Sequence, residues 1–229
     1  MIRNLKVLVA AAMALAAFGA ISASGAQAVV EFHCSAEPCT GVIKPDGTAK
    51  TAHHVFIVET EDTSESVSFT CNELAGGTTA SFKKTTTEVE VGGTVGSASA
   101  LVYKECLVNG SGKVTVDMNG CKYNFTAAGH VTITGCTNAA KQIEVTKENC
   151  TYDIPEQTLT TIKYHNIGTT PNREITVETD VHPILVTVTG NKADCLIDPT
   201  KKLIGTYTTG NTLVTGQTGA GVMADAWWE

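Results

Sequence analysis

Charged and aromatic side chains are both scarce in this chain. Charged residues fill 17 % of its 229 positions and aromatics 6 %. Basic residues are outnumbered, 16 against 23 acidic ones, for a formal net charge of -7. A nucleic-acid binder carries a basic footprint, so that class is excluded. Apolar residues reach 42 %, too many for a chain that stays disordered. After the N-terminus no apolar run approaches the roughly 18 residues of a spanning helix, which excludes a helical membrane bundle. No later stretch holds an i, i+3, i+4, i+7 apolar stripe for three turns, so almost no helix is expected. Catalytic signatures are missing too. There is no H-E-x-x-H, no G-x-S-x-G, no P-loop and no dinucleotide fingerprint.

What is present begins with an address. Residues 1–28 read as a secretory signal: Arg3 and Lys6 in front, the apolar run at 7–21, then Ala26-Gln27-Ala28 as the cleavage site. The competing reading, an uncleaved anchor, suffers because about 15 apolar residues span a bilayer poorly. Cleavage would leave residues 29–229 and a formal charge of -9, since the leader holds two basic residues and no acidic one. Cys34 follows Phe32-His33 rather than the small residues of a lipoprotein box, so no lipid anchor is expected.

All eight cysteines lie after residue 28: Cys34, Cys39, Cys71, Cys106, Cys121, Cys136, Cys150 and Cys195. An even number in an exported chain reads as four disulfides. Only Cys34 and Cys39 are close enough to resemble a zinc pair, so no metal site is expected. Eight cysteines allow 105 pairings, and local pattern narrows them. Ser35-Ala36-Glu37-Pro38 is a turn that brings Cys34 to Cys39. Cys121 and Cys136 flank a hairpin pattern around Ala127-Ala128-Gly129. Cys71 and Cys106 fall on flanking strands, which leaves Cys150 for Cys195.

Alternation with a period of two dominates the rest. Val55–Val58 is a short apolar run, long enough for a buried strand, and Glu88–Val91, Val114–Met118, Ile143–Thr146 and Arg173–Glu178 read as strands with Val and Ile on one face and Thr or Glu on the other. The chain contains 35 threonines, and their β-branched polar side chains suit the wet face of a sheet. Turns are expected at Pro45-Asp46-Gly47, Gly76-Gly77, Gly92-Gly93, Asn109-Gly110, Asn119-Gly120 and Gly210-Asn211. The predicted fold is all-β: an antiparallel β-sandwich or a related Greek-key fold, stapled by disulfides. One domain over 29–229 is expected, with two small β units meeting near residue 110 as the alternative. Residues 114–125 (VTVDMNGCKYNF) and 143–154 (IEVTKENCTYDI) match at an offset of 29, as two equivalent strands or by chance.

Candidate reactive residues are few. His53 and His54 are adjacent, so in a strand they point to opposite faces and cannot share a metal; they read as surface residues. Glu59, Glu61, Asp62 and Glu65 read as a solvated loop. Trp227 and Trp228 read as a closing strand with one ring inward.

The chain resembles a paralogous group of uncharacterised secreted, cysteine-containing all-β proteins of high-GC soil bacteria. The likeness rests on the leader, Phe32-x-Cys34 with Cys39 behind it, VTVDMNGCKYNF at 114–125, Glu148-Asn149-Cys150, REITVETDV at 173–181 and the ending at 221–229. The pair Trp227-Trp228 departs from the single tryptophan of that pattern. The resemblance implies a secreted, disulfide-bearing β fold without a known activity. Together these features predict an exported non-enzymatic protein with no cofactor. Its binding or structural role would be directed at an extracellular ligand or a component of the cell envelope. Two alternatives are a secreted hydrolase whose site is built from distant loops, with His53, His130, His165 or His182 as its base, and a protease inhibitor using the ring 35–38. Neither the ligand nor the oligomeric state follows from the sequence.

Overall fold

Antiparallel pairing accounts for nearly all regular structure in the computed structural model, which describes residues 29–43, 54–75, 85–92 and 100–229. The largest sheet has nine strands. Its path runs β10 (Gly112–Lys113), β9 (Leu107–Val108), β4 (Ser66–Cys71), β3 (His54–Thr60), β20 (Leu203–Thr218), β18 (Glu174–Leu185), β17 (Ile162–Ile167). Two further strands, β2 (Cys39–Ile43) and β21 (Met223–Ala224), pair along the second half of β20.

Two four-stranded sheets supply the other inner faces. One is β11 (Thr115–Asp117), β14 (Gln142–Lys147), β15 (Cys150–Pro155), β19 (Thr187–Thr189). The other is β16 (Gln157–Leu159), β13 (His130–Thr134), β12 (Lys122–Thr126), β7 (Glu88–Val91). A three-stranded sheet joins β22 (Ala226–Trp228), β1 (Phe32–Cys34) and β6 (Thr85–Thr86), and β5 (Glu73–Ala75) pairs with β8 (Val102–Lys104). The only helix among the described residues is α1, Lys192–Cys195, capped by the Asn191 side chain.

The expected alternation is visible in burial. Val89 and Val91 are buried along β7 as expected, and β3, read from the sequence as a buried apolar run, alternates too, with His54, Phe56, Val58 and Thr60 buried and Val55 and Ile57 less so. Buried side chains from Phe32 to Ala226 join one core cluster, so chain on both sides of residue 110 contributes to it. Phe69 meets Tyr152 edge-on at 4.7 Å there. Four disulfides staple the fold: Cys34–Cys39, Cys71–Cys106, Cys121–Cys136 and Cys150–Cys195, with S–S distances between 1.96 and 2.07 Å. They are the pairs that the local pattern had singled out.

Several local expectations change. Gly210-Asn211 is no turn. Val177 pairs with Thr212 and Thr179 with Thr209, so two residues of β20 oppose one of β18 and form a bulge inside a continuous strand. His182-Pro183 makes a second irregularity, in β18. A proline within a sheet needs such a place, because it has no N–H for the ladder. Asn119-Gly120 does turn, with φ of 48° and 73°, and the Cys121 N–H donates to the Met118 carbonyl. The predicted turns at 45–47 and 76–77 lie outside the described residues. The two similar segments are neighbours: β11 and β14 pair antiparallel, and of the positions related by the offset Val116 and Val145 stand opposite each other.

Candidate functional site

Inward-facing residues of a close-packed sandwich should be fully buried. Here several are not. Tyr103, Val116, Tyr123, Phe125, Tyr207 and Val214 are only half-buried, and all border a partly open cavity of about 150 Å³. The cavity lies between the nine-stranded sheet (Phe56, Phe69, Val177), the β7-containing sheet (Val89, Val131) and the β14-containing sheet (Ile143, Val145). Along β18, Ile175, Val177, Thr179 and Val181 all border it, a stretch of about 20 Å, and across the sheet its lining runs from β4 to β17. An apolar cavity of about 150 Å³ stays dry and takes up a molecule such as benzene.

One polar region interrupts this lining. The registers place His54 beside Thr209 and Thr209 beside Thr179, three inward polar side chains in a row across β3, β20 and β18. Tyr207, in the next row, brings its phenol oxygen to 2.6 Å from His54 Nδ1. From Tyr207 a phenol chain crosses the interior: Tyr103 lies 3.4 Å on, and Tyr123 3.0 Å beyond that. The His54 ring also meets Tyr103 edge-on at 5.5 Å. Burial pushes the Tyr103 and Tyr123 phenols well above their ordinary pKa, so both stay neutral. Thr209 and Thr212 hydroxyls are 3.4 Å apart. The Thr179 hydroxyl is buried and has no hydrogen-bond partner. Apart from His54, no residue bordering the cavity is ionisable below the tyrosine range. The arrangement offers hydrogen bonds from phenol and threonine hydroxyls and one imidazole in an apolar setting.

The residues singled out from sequence fall elsewhere, with one exception. His54 is not a surface residue. It is 2 % exposed, because it shares the inner face of β3 with Phe56 and Val58; His53 lies outside the described residues. His130, His165 and His182 are exposed, His165 near Glu178 at 3.3 Å and His182 near Thr206 at 3.0 Å. The four acids flank the β3–β4 turn. Glu65 is paired with Lys192 and accepts from the Asp198 N–H, and Glu61 meets Lys202 at 2.7 Å. Hydrogen bonds from Ser64 and Thr60 hold the Asp62 carboxyl far below its ordinary pKa. No group of three metal-ligating side chains occurs among the described residues.

The ring 35–38 is tied down at Asp225, whose carbonyl accepts from the Ser35 N–H and whose N–H donates to Ser35 Oγ. Trp228 turns inward against Tyr164 and donates its indole N–H to the Ala127 carbonyl. Trp227 lies on the other face, stacked on His33 under the Arg173 guanidinium.

Threonine also departs from expectation. Thr60, Thr176, Thr179, Thr209, Thr212 and Thr215 are buried rather than wet. For Thr179 the signal was present, in its period-two register with Ile175, Val177 and Val181. Nothing local could bring Tyr103, Tyr123 and Tyr207 together. No family model, curated protein or solved structure matches the chain.

Proposed function

We propose that the chain is an exported, non-enzymatic binding protein that holds a small, largely apolar molecule between its sheets. The observation that carries this is the cavity of about 150 Å³, bordered by aliphatic and aromatic side chains that remain half-buried although they point inward. Voids of this size are costly in a core, and a ligand recovers the missing contacts. Export accords with the leader-like N-terminus and with four disulfides. No helix among the described residues is long and apolar enough to cross a membrane.

The test is the thermal midpoint of the oxidised protein in millimolar toluene or 1-octanol. Both are expected to raise it, because a ligand that binds only the folded state stabilises it by mass action. Val177→Phe, which fills the cavity from β18, is expected to remove the toluene response. A midpoint unmoved by both compounds would overturn the proposal.

A further inference from the structure

Granting that the cavity is a ligand site, we infer that its ligand is an uncharged amphiphile: an apolar body with one neutral oxygen function, hydroxyl or carbonyl, seated at the row His54–Thr209–Thr179. Three observations converge on this.

The first is charge. No carboxylate, ammonium or guanidinium borders the cavity. A charged ligand group would leave water with no permanent counter-charge, since the one ionisable side chain in the row, the His54 imidazole, already has Nδ1 engaged by the Tyr207 hydroxyl, and burying an unpaired charge is costly. A fatty acid anion is therefore a poor fit, and an alcohol, ester or aldehyde is not.

The second is Thr179. Its hydroxyl is buried without a hydrogen-bond partner, in a side chain 7 % exposed that borders the cavity. An unmet buried hydroxyl is destabilising. A 120° step about χ1 carries its hydroxyl to another staggered position, so a ligand oxygen beside β18 can satisfy it. A purely hydrocarbon ligand leaves that penalty in place.

The third is position. The row places the polar groups together on one wall, and Tyr207, Tyr103 and Tyr123 extend them across the interior. The rest of the lining is aliphatic and aromatic, so the remainder of the ligand meets only apolar walls.

The experiment titrates the oxidised full chain with toluene, 1-octanol and octanoate at about pH 8, for the parent, Thr179→Val and Thr179→Ser. The parent is expected to bind 1-octanol at least about tenfold more tightly than octanoate, a difference of about 1.4 kcal/mol. Thr179→Val should bind toluene like the parent but lose about fivefold in 1-octanol affinity, one hydrogen bond's worth. Thr179→Ser, which keeps the hydroxyl, should retain the preference. Toluene binding with octanoate equal to or tighter than 1-octanol, or with Thr179→Val unchanged toward 1-octanol, overturns this inference and leaves the cavity a ligand site. Binding of none of the three compounds overturns the site itself.

Discussion

His54 Nδ1 and the Tyr207 hydroxyl lie 2.6 Å apart although 153 positions separate them in the chain. The two residues sit diagonally on adjacent strands: His54 is opposite Thr209, and Tyr207 is opposite Phe56. Two polar groups at this depth stabilise the fold as a pair, since each helps to replace the water the other has lost. Tyr207→Phe keeps the ring and removes the hydroxyl. It is expected to cost about 1–3 kcal/mol in denaturant unfolding. A double-mutant cycle with His54→Phe should show the two losses adding to less than their sum. Simple additivity would mean that the contact contributes nothing.

The four disulfides close loops of different length, and their removal should rank accordingly. Replacing both Cys150 and Cys195 by Ala opens a separation of 45 residues and should cost about 4 kcal/mol by loop-closure entropy. The Cys34–Cys39 bridge spans 5 and should cost about 2 kcal/mol. Urea midpoints of the two double variants check the order. Intact mass should rise by eight hydrogens on full reduction, two for each of the four bonds.

Asp153 is buried on β15 opposite Glu144, with the Gln142 amide donating to it at 2.7 Å. Burial, with Glu144 adding to it, raises its pKa above the ordinary 3.8. A carboxyl that is harder to ionise in the folded state opposes folding once the unfolded chain ionises. Its cost is absent below 3.8, grows as pH rises through the raised value, and is constant above it. Asp153→Asn should therefore match the parent in acid and be the more stable protein at pH 7. A thermal-midpoint series across pH tests this, and a variant equally stable at every pH would refute it.

The acids at the β3–β4 turn behave in the opposite sense. Hydrogen bonds from Ser64 and Thr60 lower Asp62, and the Lys192 ammonium with the Asp198 N–H lowers Glu65. Depressed carboxyls add stability above the unfolded values of 3.8 and 4.5, and it is lost as pH falls through the folded ones. Lys192→Ala should shrink the acid-induced fall in midpoint. Because these pairs are exposed, added salt should weaken the Lys192 contribution in the parent.

Strand identity was legible wherever one face is apolar. Glu88–Val91, Ile143–Thr146 and Arg173–Glu178 alternate because a sheet with one buried face demands it, and the structure places the first two in β7 and β14 and the third, from Glu174 on, in β18. The hairpin between Cys121 and Cys136 was legible for the same reason, together with its glycine turn. Gly210-Asn211 misled, since a Gly-Asn pair fits both a turn and a bulge, and the choice depends on whether a partner strand continues past it. In β20 it does, with β18 on one side. His54 was misread because adjacent histidines suggest a surface, although its period-two register with Phe56 and Val58 already put it on the buried face.

The sequence alone determined that the chain would be a disulfide-stapled antiparallel β structure. Side-chain period, turn residues and cysteine spacing are local properties, set within a few residues. The cavity and its polar row were decided only by tertiary structure. Tyr103, Tyr123, Tyr207, His54 and Thr179 come from β8, β12, β20, β3 and β18, and their meeting depends on registers between strands far apart in the chain. The void is a property of volume as well. Whether inward side chains fill the space between sheets depends on how far apart the sheets stand, which no single strand records.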